Sequence, residues 1–99
     1  MNEISIAAER GFVPGATVKH FKRETLSSEE LATNPKMYLY EIVGIAEHTE
    51  TKELLMMYKA LYGKQTLYAR PLSMFLSEVD HVKYPYVKQK FRFECLNNS

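Results

Sequence analysis

A chain of 99 residues holds one modest core, and 45% hydrophobic with 25% charged residues excludes a chain disordered along its whole length. A formal charge of +1 supplies no long-range pull toward nucleic acid or an anionic membrane. No stretch approaches the ~20 apolar residues of a bilayer span, and the single cysteine, Cys95, excludes an internal disulfide.

Residues 1–10 carry an early Glu3 and no long apolar run, which argues against a secretory signal. One domain over residues 1–99 in a reducing cytoplasm is the resulting expectation, with its core over about 14–94. Ile4, Ala7 and Ala8 fit one side of a helical turn, or a fraying end. Pro14-Gly15 marks a turn, and residues 16–22 read as a strand with Val18, His20 and Lys22 on one face. Ser27 or Ser28 then caps a short helix that Asn34-Pro35 stops, so residues 24–36 read as a surface insertion.

Residues 37–48 give the clearest strand, with Tyr38, Tyr40 and Ile42 on one face. Leu39, Val43 and Ile45 are apolar too, which calls for a bend or bulge, and Gly44 is its natural place. A polar hairpin connection from His48 to Glu53 leads into residues 54–62, where Met56, Tyr58, Ala60 and Tyr62 form one row. A helix is the alternative for that segment, but its flanking turn signals favour a strand. Residues 66–70 form a short strand ended by Pro71, which also suits the first position of a helix. Leu72, Phe75, Leu76 and Val79 recur at helical spacing. Residues 87–96 close the chain as a strand in which Phe91, Phe93 and Cys95 alternate with Lys90, Arg92 and Glu94. Residues 97–99 read as a tail.

Five segments carry a family resemblance: His20-Phe21-Lys22, Tyr40-Glu41-Ile42-Val43-Gly44-Ile45-Ala46, His48-Thr49-Glu50-Thr51, Tyr58-Lys59-Ala60-Leu61-Tyr62-Gly63, and Arg70-Pro71-Leu72-Ser73-Met74-Phe75. In order and spacing they resemble a bacterial family known as domain of unknown function sixteen fifty-three, over residues 14–93. The chain departs from shorter members by the insertion at 24–36, by Phe21 where many carry tyrosine, and by Tyr68-Ala69 where many carry tryptophan-valine. Similar extended members end in a segment like that of residues 84–90. The resemblance implies no activity. The strand order and lengths look like a mainly β, SH3-like or Tudor-like five-stranded barrel, with one inserted short helix and a short helix after strand 4. Fold alone does not fix function.

Arg70 is the sharpest single residue. Its planar fork of donors suits an anionic ligand, or it ties the strand-to-helix corner to Glu41, Glu78 or open carbonyls. His20 and His48 titrate in the range of acid–base work, yet neither accompanies a serine or cysteine nucleophile in a recognisable setting. His48 equally caps its own hairpin. His20, His48 and His81 lack the spacing of a metal motif, so no metal and no cofactor is expected. The seven tyrosines suit both a packed core and an aromatic groove.

These residues point first to a non-catalytic binding module. Tyr40, Tyr58, Tyr62 and Tyr68 gather beside His20, Lys22, His48 and Arg70 to hold a small molecule or peptide with an anionic or carbonyl group. The alternatives are a small hydrolase or nucleotide-processing enzyme using His20 or His48 with Arg70, and an interaction or scaffold domain, including a homodimer. Neither a membrane nor, by charge, nucleic acid is the expected partner.

Overall fold

The structure is a computed structural model and describes residues 2–96. The tail at 97–99 therefore lies outside the described residues. Helix α1 (Glu3–Glu9) opens on Asn2, whose side chain accepts the Ser5 N–H at 2.8 Å. Only Ala7 of its apolar residues is buried, with Ile6 packed beside the core, so the inward face differs from the Ile4–Ala7–Ala8 face expected from sequence. Gly11 ends the helix at φ +80°, while the Phe12 N–H returns to the Ala7 carbonyl at 2.9 Å. That turn sends Phe12 into the core, and a Cβ at Gly11 would sit 3.1 Å from Cys95 Sγ.

Five antiparallel strands follow: β1 (Thr17–His20), β2 (Leu39–Glu47), β3 (Leu54–Ala60), β4 (Leu67–Pro71) and β5 (Phe93–Cys95). They form one open sheet in the order β4-β3-β2-β1-β5. The mainly β reading of the sequence is correct, and a small coiled barrel is compatible with this order. Residues 54–62 are extended through Ala60 rather than helical.

Register fixes which side chains share the concave face. Val18 lies opposite Tyr40, Tyr40 opposite Ala60, Ile42 opposite Tyr58, Tyr58 opposite Tyr68, and Met56 opposite Arg70. The β2–β3 register slips between Ile42 and Gly44, so Val43 bulges outward and Ile45 rejoins the inner side opposite Met56. This bulge explains a strand with apolar residues in both phases.

Helix α2 (Ser28–Thr33) fills the insertion, held by a reciprocal cap between Ser27 and Glu30, and buries none of its residues. Helix α3 (Leu72–Phe75) follows β4 directly, with Pro71 as its N-cap rather than its first residue. Leu72 and Phe75 seal the concave side, and the Phe75 ring stacks on Phe93 at 4.1 Å and 8°. A satellite cluster of Phe21, Val79 and Val87, flanked by Tyr84, packs under the C-terminal loop.

Two expected strands are shorter than their sequence patterns suggest. After His20 the chain turns into a 3₁₀ helix (Phe21–Thr25), because the His20 Nδ1 accepts the Lys22 N–H at 3.1 Å and captures the backbone locally. The last strand keeps only Phe93–Cys95. Before it, the Glu24 carboxylate takes the N–H groups of Lys88 and Gln89 at 2.9 and 2.7 Å. The buried Gln89 amide in turn donates to the carbonyls of Lys19, Phe91 and Arg92. Residues 88–92 thus leave the sheet: side chains hold part of their backbone, and the rest pairs with residues 77–79 through an antiparallel bridge between Glu78 and Phe91.

Candidate functional site

All five strands, with the turn residue Tyr38, contribute to a cavity of about 250 Å³ at one end of the concave face. Tyr40, Tyr58 and Phe93 are buried and form its floor. Their rings meet edge to face, at 5.4 Å between Tyr40 and Tyr58 and 5.8 Å between Tyr40 and Phe93. The two tyrosines are diagonal neighbours across the β2–β3 ladder rather than directly opposed.

One wall is His20 with Tyr38, their ring centroids 6.0 Å apart. His20 lies opposite Phe93 in the β1–β5 ladder, and their rings meet at 5.0 Å. The other wall comes from β4: Tyr68, 42% exposed, tilts against Tyr58 at 5.6 Å, and Arg70 follows two residues on along the same face. The Arg70 guanidinium sits 6.0 Å from the Phe93 ring centroid, so the two edge strands approach each other across the cavity. Lys22 completes the lining from the 3₁₀ helix.

Charge in this cavity has one sign. Among the described residues that line it, none is acidic. Burial lowers the His20 pKa to about 4, and the nearby charges of Lys22, Arg70 and Arg92 press in the same direction. His20 is therefore neutral at pH 7, and its Nδ1 is an acceptor. Burial pushes the Tyr40 phenol well above its ordinary range, reinforced by a 2.7 Å hydrogen bond between the Tyr40 and Tyr62 hydroxyls. Burial also raises Tyr58, while the charge of Arg70 and a hydrogen bond from it act the other way. The result is a neutral aromatic floor with two permanent cations, Lys22 and Arg70.

Sequence reasoning named His20, Lys22, Tyr40, Tyr58, Tyr68 and Arg70, and all of these line the cavity. Tyr62 stands behind it and reaches it through the Tyr40 hydroxyl. His48 lies elsewhere, in the β2–β3 hairpin, where its Nδ1 accepts the N–H groups of Glu50 and Thr51 at 3.1 and 3.2 Å. Tyr38 and Phe93 were missed as lining residues. Tyr38 adopts φ +63°, a conformation costly for a bulky side chain, and its ring lies beside His20. Its sequence signal was its place in phase with Tyr40. That of Phe93 was the alternation of the last strand.

Cys95 is set apart from this chemistry. Its thiol donates to the Arg10 carbonyl at 3.1 Å, and burial raises its pKa, which suits a packing residue rather than a nucleophile. Among the described residues no three histidine, cysteine, aspartate or glutamate side chains cluster as a metal site would need. No described helix is long and apolar enough to cross a membrane.

Comparison with curated proteins and with solved structures finds no match. Comparison with protein families matches residues 16–95, from the residue before β1 to the end of β5, which takes in every element that builds the cavity. The chain belongs to the family described as protein of unknown function DUF1653.

Proposed function

We propose that the domain is a non-catalytic binding module for a small ligand that joins a flat ring or short apolar group to an anion. The observation that carries this reading is the one-signed cavity: aromatic floor and walls, with Lys22 and Arg70 beside them and no acidic lining residue among the described residues. A volume of about 250 Å³ is below the usual range for whole drug-sized ligands, so it suits one ring and its substituent.

An aromatic box alone also attracts cations, with an energy of about 0.5–2 kcal/mol. The two cations beside it act more strongly: a charge roughly 5 Å away gives about 3 kcal/mol of gross Coulomb energy at an effective dielectric of 20, with Arg70 the larger contributor because Lys22 is exposed and screened. The sign of the ligand follows from that comparison. Against catalysis stands the depressed His20 pKa, which makes it a weak base, and among the described residues no carboxylate lines the aromatic cavity to orient it.

Amide chemical-shift titrations with phenyl phosphate, benzoate and benzyltrimethylammonium test the reading. The two anions should shift amides of β1, β4 and β5, and the cation should not. The Tyr38→Gly variant should keep the fold, since glycine adopts φ +63° freely, and should weaken phenyl phosphate binding several-fold. Equal responses to cation and anions, or none to any, would overturn the proposal.

A further inference from the structure

Lys22, Arg70 and His20 border a second depression as well, of about 270 Å³, which adjoins the aromatic cavity through these shared residues. Lys83 and Arg92 join them there, so four permanent cations face a single lining carboxylate, Asp80. Its Oδ1 accepts the N–H groups of Val82 and Lys83 at 3.1 and 3.2 Å, which fixes its orientation, and its one charge leaves the cations in excess. The Arg92 Nε is buried without a hydrogen-bond partner among the described residues, and a buried guanidinium N–H left unpaired is costly. One carboxylate group on a ligand would balance one of these cations and leave the others facing one another. A chain of phosphates matches both their number and the forked geometry of arginine.

We infer that the ligand is a nucleotide bearing two or more phosphates, with its base between Tyr38 and Tyr68 and its phosphates running past Lys22 and Arg70 to Lys83 and Arg92. This rests on the aromatic cavity being a ring site, as proposed above. The adjacency of the two depressions supplies the argument: a flat apolar group at one end, several negative charges at the other, and two shared cations at the junction. The acidic and basic residues of the whole chain nearly balance, so a free nucleotide fits better than a long nucleic acid strand.

Calorimetric titration with adenosine, adenosine monophosphate, adenosine triphosphate, tripolyphosphate and a short oligoadenylate lacking terminal phosphates is the test. The triphosphate should bind at least about tenfold more tightly than adenosine, with the monophosphate between them. Exposed Lys83 allows a clean variant: Lys83→Ala should weaken the triphosphate about threefold or more and leave adenosine unchanged. Arg92→Gln should act in the same direction, and Asp80→Asn, which keeps the acceptor for both N–H groups, should tighten the triphosphate. Equal affinity for adenosine and its triphosphate would overturn the inference, as would oligoadenylate binding more tightly than the triphosphate. If phenyl phosphate binds the aromatic cavity and no adenosine compound does, the nucleotide assignment fails while the ring-and-anion site stands. If phenyl phosphate fails too, both fail.

Discussion

The His20 imidazole accepts the Lys22 N–H through Nδ1, which requires that nitrogen to be unprotonated. Burial and three neighbouring cations hold its folded pKa near 4, below the ordinary 6.5. Between those values the unfolded chain binds a proton that the folded chain refuses, so unfolding gains as pH falls. The associated stability is whole above about pH 6.5 and is lost as pH drops toward 4. Because the ring is partly exposed, solvent screening limits the loss to about 1–2 kcal/mol. Urea unfolding of wild type and His20→Asn between pH 7 and 4 checks this. Asparagine keeps an acceptor at the cap but cannot titrate, so the wild type should lose more stability than the variant over that range. Parallel profiles would remove the claim. At this scale much of the cavity was legible, because strand alternation puts Tyr40 in phase with Ile42, and Tyr68 with Arg70. The backbone of Tyr38 was not, since nothing in residues 34–39 demands a left-handed tyrosine. His48 shows the converse: a histidine attractive for chemistry spends its Nδ1 on its own hairpin.

Among the elements, the final strand departs furthest from its pattern, and Glu24 is a cause. Its carboxylate holds the N–H groups of Lys88 and Gln89 from more than sixty residues away in sequence, tying the 3₁₀ helix to the C-terminal loop. Sequence periodicity is blind to such a contact. The alternation of Phe91, Phe93 and Cys95 was readable, while the removal of residues 88–92 from the ladder was not. A charge-assisted hydrogen bond typically contributes about 1.5–3 kcal/mol when enclosed. Glu24 is exposed, so Glu24→Ala should cost about 1–2 kcal/mol in total. Hydrogen exchange gives the sharper readout, with the Lys88 and Gln89 amides losing protection first while β2 and β3 keep theirs. Unchanged exchange at both amides would show that the loop is held without Glu24, by the Phe21–Val79–Val87 cluster, the Gln89 amide and backbone pairing to residues 77–79. Helix α2 is the opposite case. Its cap was plain in the sequence because the signal is wholly local, Ser27 and Glu30 lying three residues apart.

Across the whole molecule, one concave face serves as core at one end and candidate site at the other, and Phe93 belongs to both. It is 1% exposed, stacks on Phe75, and meets Tyr40, Tyr58 and His20 on the cavity side. The sheet's coiling makes that dual use possible, because it brings β4 toward β5 although the two are not neighbours in the strand order. The bulge at Val43 contributes to the coiling, and Gly44 announced it in the sequence. The meeting of the two edges depends on pairing between β1 and the last three residues of the sheet, which no local pattern encodes. Removing the Phe93 ring should therefore be a folding lesion. Phe93→Ala should cost about 3–5 kcal/mol, the usual range for a fully buried phenylalanine. For a domain of this size each 1 kcal/mol lowers Tm by about 4–8 °C, so a fall of at least about 12 °C is expected. Tyr68, on the outer wall, should behave differently. Its ring is 42% exposed, so Tyr68→Ala should cost about 1 kcal/mol or less in stability yet weaken phenyl phosphate binding several-fold. Thermal unfolding and titration of the two variants side by side separate core from site. If Tyr68→Ala proves as destabilising as Phe93→Ala, the wall is core, and the cavity is a gap in packing rather than a place for a ligand.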